Sequence, residues 1–222
     1  RLLNGSSSRV YKLEWSDGTP LTIIGSQGGL LERPRPQRYL TLAPAQRADV
    51  FVDFSGRAVG ASVELRSAAF PASDVDRTAG AMGGMGRGSG SANGAALSLM
   101  TFRVARQEAS SYRLPPRLAT YGSSWAQNDA APVRRIPISI AAGQWLLDGR
   151  TFDMMNAAPE EEVRAGSTHI WELTNVSGMM GMPMAHPLHL HGRQFRVLSR
   201  APVSGTSAGS SSVREGLLDE GW

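Results

Sequence analysis

Through the first seventy residues apolar and polar positions alternate in short runs, each closed by turn chemistry. Val10-Tyr11-Lys12-Leu13-Glu14-Trp15 alternates into the turn Ser16-Asp17-Gly18-Thr19-Pro20. Leu21-Thr22-Ile23-Ile24, Tyr39-Leu40-Thr41-Leu42, Asp49-Val50-Phe51-Val52-Asp53-Phe54 and Ser62-Val63-Glu64-Leu65-Arg66 follow, separated by glycines, Ala43-Pro44 and Ser55-Gly56. A period of two puts successive side chains on opposite faces of a strand. No convincing helical period is present. Short strands at this spacing predict a sandwich or barrel.

The pattern changes from 71 to about 95. Gly80-Ala81-Met82-Gly83-Gly84-Met85-Gly86-Arg87-Gly88-Ser89-Gly90 has too little side chain to offset its ordering entropy, which predicts a mobile loop. Leu97 to Val104 reads as a strand closing a first domain, 1–105. Residues 106–135, with Pro115-Pro116 and many small polar residues, read as a linker along the surface. A second β domain is expected over 136–222. Its strands are Ile136 to Ile140, a hairpin around Asp148-Gly149, Thr168 to Asn175, and Gln194 to Leu198. The tail from Val203 to Ser212 is rich in Gly, Ser and Thr, and no closing strand is expected before Trp222.

Composition narrows the function classes. With 41% hydrophobic residues the chain can bury a core. The net charge is +4, and Lys12 is the only lysine among 23 basic residues. The arginines are scattered rather than clustered with aromatics, so no nucleic-acid partner is expected. The absence of cysteine excludes disulfides, thiolate zinc sites and thiol catalysis. No run approaches the roughly 18 apolar residues of a membrane span, and no signal peptide is recognisable. The chain opens at Arg1-Leu2-Leu3 without a methionine, as if inside a longer protein.

Three of the four histidines fall in His186-Pro187-Leu188-His189-Leu190-His191-Gly192. In an extended strand His189 and His191 face one side and can serve one metal cluster, while His186, three residues earlier, points to the other. Imidazole suits copper, zinc, iron and nickel. Leu188 and Leu190 alternate with the pair and are expected to pack inward. Pro187 fits a strand start or edge, and Gly192 a close backbone approach or a bend. His169 lies on the apolar side of its strand and reads as a packed or hydrogen-bonded histidine rather than a ligand. Asp153 and Glu172 read as solvated carboxylates rather than proton donors or substrate anchors; no catalytic side chain is assigned.

His186 to Gly192, followed by Arg193-Gln194-Phe195-Arg196-Val197-Leu198, resembles the motif that opens the ligand set of the last cupredoxin domain in multicopper oxidases. The bacterial laccases and periplasmic cuprous oxidases are the nearest type. Leu147-Asp148-Gly149-Arg150-Thr151-Phe152-Asp153-Met154 resembles the segment where that domain's substrate-side loop begins. Arg1 to Ser6, Ile24 to Leu31 and Leu42 to Val50 resemble successive stretches of the family's middle domain. The resemblance implies an all-β fold of tandem cupredoxin-like Greek-key sandwiches, both incomplete. It implies copper, with His186 a ligand of the type 1 site, His189 of the type 2 site and His191 of the type 3 pair. The parent activity implied is one-electron oxidation of phenols or metal ions such as Cu(I), coupled to reduction of dioxygen to water.

The departures matter equally. The first domain's His-X-His pairs, the His-Cys-His strand and the axial methionine are absent, so the 222-residue chain is expected to be inactive without the remainder of the oxidase. Localisation in the periplasm or outside the cell is implied by the resemblance alone. Met179, Met180, Met182 and Met184 precede the motif and Met154-Met155 lie upstream; they read either as a path for Cu(I) or as gap-fillers around a core. The rival reading is a non-enzymatic cupredoxin-fold protein that binds copper or acts structurally.

Overall fold

The computed structural model describes residues 1–75, 93–121, 131–176, 185–192, 195–201 and 220–221. The Gly/Met segment, the methionines at 179–184 and the Gly/Ser tail expected from the sequence lie outside these residues, apart from the flanks of the first. Among the described residues the chain is built of strands, with two three-residue 3-10 turns, Ala72–Asp74 and Pro159–Glu161. None of the described helices is long and apolar enough to cross a membrane. The residues group into two compact units, Arg1–Thr120 with Pro187–Trp222, and Tyr121–His186.

The first unit holds two four-stranded sheets. One joins β1 (Leu2–Leu3), β6 (Arg47–Phe51), β3 (Leu21–Ser26) and β4 (Gly29–Gln37) in that order. The other joins β5 (Leu40–Leu42), β2 (Tyr11–Trp15), β7 (Ser62–Ser67) and β8 (Leu97–Arg103). All neighbours are antiparallel. Successive strands switch sheets: β2 and β5 belong to one, β3 and β4 to the other. Burial follows the pleat. In β3 Leu21 and Ile23 are fully buried while Thr22 and Ile24 are not, and in β7 Val63, Leu65 and Ser67 are buried between partly exposed residues. Leu13, Leu31, Leu40 and Leu42 add to the apolar layer. Sheets with one apolar face bury it by packing face to face.

Buried Asn4 ties the sheets together at one end. It follows β1, and its Nδ2 donates to the carbonyls of Leu42 (2.9 Å) in β5 and Arg9 (2.8 Å). Its own carbonyl accepts the Ala45 N–H at 2.9 Å. Ala45 is left-handed there, with φ 65°. At Gly25 a bulge shifts the register of β3, and a Cβ would lie 2.7 Å from the Gly29 carbonyl oxygen; the backbones approach too closely for any side chain.

The strand expected over 49–54 begins earlier and ends earlier, as Arg47–Phe51. β4 interrupts the expected sequence of strands altogether. Pro34 and Pro36 argue against a strand, but β4 is an edge strand. Pro36 faces Thr22, and Pro34 lies where the β3–β4 register slips between Leu30 and Arg35. Edges and bulges are where a missing N–H is tolerated.

Arg1 reaches across from β1 to Asp49 of β6, with two contacts of 2.8 Å. The guanidinium holds the Asp49 carboxyl below its ordinary value, against the opposing effect of partial burial. A depressed folded-state pKa contributes stability that is present above the unfolded value near 4 and lost as pH falls through the folded value. Because Arg1 is largely exposed, solvent screening keeps the effect small. Asp49→Asn should therefore flatten part of the loss of stability below pH about 4, measured by denaturant midpoints across that range.

Residues 104–121 run without regular structure over this unit. Tyr112 stacks on Phe51 with ring centroids 5.8 Å apart, and Arg117 pairs with Glu32 at 2.7 Å. Farther on, β12 (Phe195–Arg196) pairs antiparallel with β13 (Glu220–Gly221). Two residues are too few to announce such a ladder in a sequence.

In the second unit β9 (Val133–Ala141) is central, with β10 (Gln144–Leu147) antiparallel on one side and β11 (Ile170–Asn175) parallel on the other. The β9–β10 hairpin turns at Ala142 and Gly143, whose φ values of 48° and 76° match the primed turns that suit strand twist. Asp148 and Gly149 also form a two-residue turn, with φ 54° and 74°, but only the Leu147–Arg150 bridge follows it. The hairpin expected there stops at that bridge because Thr151 to Ala158 leave the sheet.

Candidate metal centre

The histidine motif was expected to be a strand. Residues 185–190 instead carry no regular secondary structure, and a turn follows at 191–192, where Gly192 has φ 71°. Pro187 removes one ladder donor, and no strand pairs with the segment among the described residues. Leu188 is 37% exposed, which corrects the expectation that it packs inward; Leu190 is half-buried.

His189 and His191 are nevertheless together. Both are exposed, and their ring centroids lie 4.8 Å apart with the planes at 81°. Two residues apart on extended backbone, the rings share a side whether or not the backbone is paired in a sheet.

His186 ends the second unit, and the boundary between the compact units falls between it and Pro187. Its ring is half-buried and meets the Trp145 indole edge-to-face, with centroids 4.9 Å apart and planes at 77°. Burial pushes the imidazole pKa below its ordinary value. Desolvation disfavours the cation, and the neutral ring is the form that binds metals. Sequence patterning places Trp145 in a strand but gives no sign of this contact, which joins residues 41 positions apart.

The remaining candidates occupy structural roles. His169 sits just before β11, half-buried, with Nε2 2.9 Å from Ser167 Oγ, in keeping with a hydrogen-bonded histidine. Asp153 accepts hydrogen bonds from Asn156 Nδ2 at 2.8 Å and the Met155 N–H at 2.9 Å. Those bonds, the Asn156 side chain first, hold its carboxyl below the usual range, so it is an ionised turn-former rather than a proton donor. Glu172 pairs with Arg135 across β11 and β9 at 3.1 Å. Met154 and Met155 are more than four-fifths exposed and fill no gap in a core.

Imidazole suits copper, and His189 and His191 present two exposed rings close together. Among the described residues no three His, Cys, Asp or Glu side chains converge. The pair therefore fits part of a copper ligand set, to be completed by further donors.

A family model described as multicopper oxidase matches residues 113–216. The laccase of Bacillus subtilis (strain 168) is 31% identical over 209 residues, which cover 91% of this chain and 36% of that protein. The chain thus spans about a third of the length of the curated relatives it matches. The crystal structure of a laccase from Pediococcus acidilactici superposes with a TM-score of 0.64 at 30% identity, over 89% of this chain and 36% of that one. The McoA multicopper oxidase of the hyperthermophile Aquifex aeolicus superposes with a TM-score of 0.67 at 26% identity, over 92% and 42%. The expected all-β, cupredoxin-like fold is the one these oxidases share with the present chain. Over nine-tenths of its length the chain is similar in sequence and fold to multicopper oxidases, and the family model falls on its second half.

Proposed function

We propose that this chain is the copper-binding part of an oxidase that couples one-electron oxidation of phenols, or of metal ions such as Cu(I), to reduction of dioxygen to water. His189 and His191 act as ligands in the oxygen-reducing cluster, of the type 2 and type 3 coppers respectively. His186 acts as a ligand of the type 1 copper that accepts electrons from substrate. The observation that carries the reading is the pair of exposed rings 4.8 Å apart within the histidine motif. Copper, when bound, supplies one-electron redox chemistry; the protein's part is to hold the imidazoles in place and, at His186, to favour the neutral ring.

The remaining donors, the blue-copper cysteine among them, would come from polypeptide beyond this sequence, which has no cysteine. We further infer two domains, 1–105 and 136–222, joined by a 106–135 linker, and a protein that works in the periplasm or outside the cell. The family-model match over 113–216 begins inside that linker, and the compact units, Arg1–Thr120 with Pro187–Trp222 and Tyr121–His186, divide the chain differently.

Titrating the protein with Cu(II) tests the central claim. His189→Ala and His191→Ala should each weaken binding by about tenfold or more, the equivalent of about 1.4 kcal/mol per lost ligand. The bound Cu(II) should show nitrogen hyperfine structure in its EPR spectrum that diminishes in each variant. Unchanged affinity and spectrum in the double variant would overturn the assignment.

A further inference from the structure

We infer that Trp145 is a positioning residue for His186, fixing the orientation of its ring for copper. The inference rests on the reading of His186 as a copper ligand.

His186 lies in a segment with no regular secondary structure, so its backbone does little to fix the ring. Trp145 is the opposite case. It is in β10, where all four residues pair with β9, and it stands opposite Ile140 of that central strand. A hydrogen-bonded strand thus carries the ring against which a loop-borne imidazole rests, 4.9 Å away at 77°. That edge-to-face arrangement is directional: turning the imidazole about its last torsion breaks it. The indole is 51% exposed, so core burial does not account for its place. Among the described residues its aromatic partner is the histidine. Ligands are held within usable geometry by such supporting side chains, and an unsupported ring must be ordered by the metal itself.

The test is NMR of protein carrying labelled histidine and tryptophan, titrated with Cu(II) alone. In the wild type the His186 ring resonances should carry the ring-current shift of the indole and broaden as Cu(II) is added. Trp145→Ala should abolish that shift and raise the Cu(II) concentration that half-broadens His186 by about two- to tenfold. The half-broadening concentrations of His189 and His191 should stay put. Trp145→Phe should recover the wild-type value to within about twofold. Trp145→Leu, which keeps apolar bulk without a ring, should behave like the alanine variant and serves in its place if that variant does not fold. An unaltered His186 titration in a folded Trp145→Ala or Trp145→Leu variant overturns the positioning role. So does an equal change at all three histidines, which marks a general loss of structure. Absence of Cu(II) broadening at His186 in the wild type refutes the ligand reading itself, and the positioning role falls with it.

Discussion

Trp15→Ala will destabilise the first unit by about 4 kcal/mol, the largest single effect expected in this chain. Trp15 is 5% exposed and lies at the end of β2, opposite Leu65 of β7. Its ring meets Phe102 of β8 at 5.3 Å and Phe54, after β6, at 6.1 Å, both edge-to-face. Phe54 and Phe102 in turn lie 5.6 Å apart. The three rings therefore form a closed triangle that links the two sheets, since β6 belongs to one and β2 and β8 to the other. Truncation removes a large buried surface and leaves a cavity that two further rings cannot fill without losing their own geometry. Large aromatic-to-alanine changes in cores cost about 3–5 kcal/mol, with each edge-to-face pair contributing about 0.5–1.5 kcal/mol beyond its area. Denaturant unfolding followed by circular dichroism reads the change. Trp15→Phe should recover part of the loss, and a loss below about 1 kcal/mol in the alanine variant would show that the triangle is not a unit.

Glu14→Ala comes second, at about 2 kcal/mol. Glu14 points to the face of its sheet opposite Trp15, yet its side chain is only 7% exposed. Arg66, directly across in β7, donates from Nε to Oε1 at 3.0 Å. Arg38, between β4 and β5, donates from Nη2 to Oε2 at 3.0 Å. One carboxylate thus serves two guanidiniums. Breaking a fully buried pair costs about 3–5 kcal/mol because a charge is stranded. Here both arginines keep more than two-fifths of their side chains in water, so the stranded charges stay hydrated and the cost is smaller. Glu14→Met, which fills the space without the charge, should cost less than alanine. The Arg38→Ala and Arg66→Ala losses should not add, because each removes a partner of the same carboxylate. Additive losses in the double variant would show that the two bonds act separately.

The strands that the sequence revealed are those with one buried face. Leu21 and Ile23, or Val63 and Leu65, declare themselves because water is excluded from alternate positions. What escaped was set by partners distant in the chain. β4 hides behind Pro34 and Pro36 because only a sheet edge tolerates them, and edge position is a property of the neighbours. The Ala142-Gly143 turn lacks the Asn or Asp that usually marks a primed turn, whereas Asp148-Gly149 has the right chemistry but no second strand to pair. The burial of Glu14 was equally hidden, since its arginines are 24 and 52 residues away. In the candidate metal centre the three histidines were legible from spacing alone, as was the nearness of His189 to His191. That the segment is unpaired, and that Trp145 packs on His186, follows from tertiary contacts that no local pattern encodes.

Two of the four outer strands in the first unit's large sheets, β4 and β8, differ in what they offer a passing polypeptide. Along β4, Pro36 withholds a donor, the register slip near Pro34 bends the rim, and exposed Arg33 and Arg35 add like charge. Each is a known deterrent to strand addition. β8 has no proline, and it presents exposed Leu99 and Met100. Of these two rims, β8 is the one open to self-association, and charged replacements at Leu99 or Met100 are the direct route to keeping concentrated solutions clear.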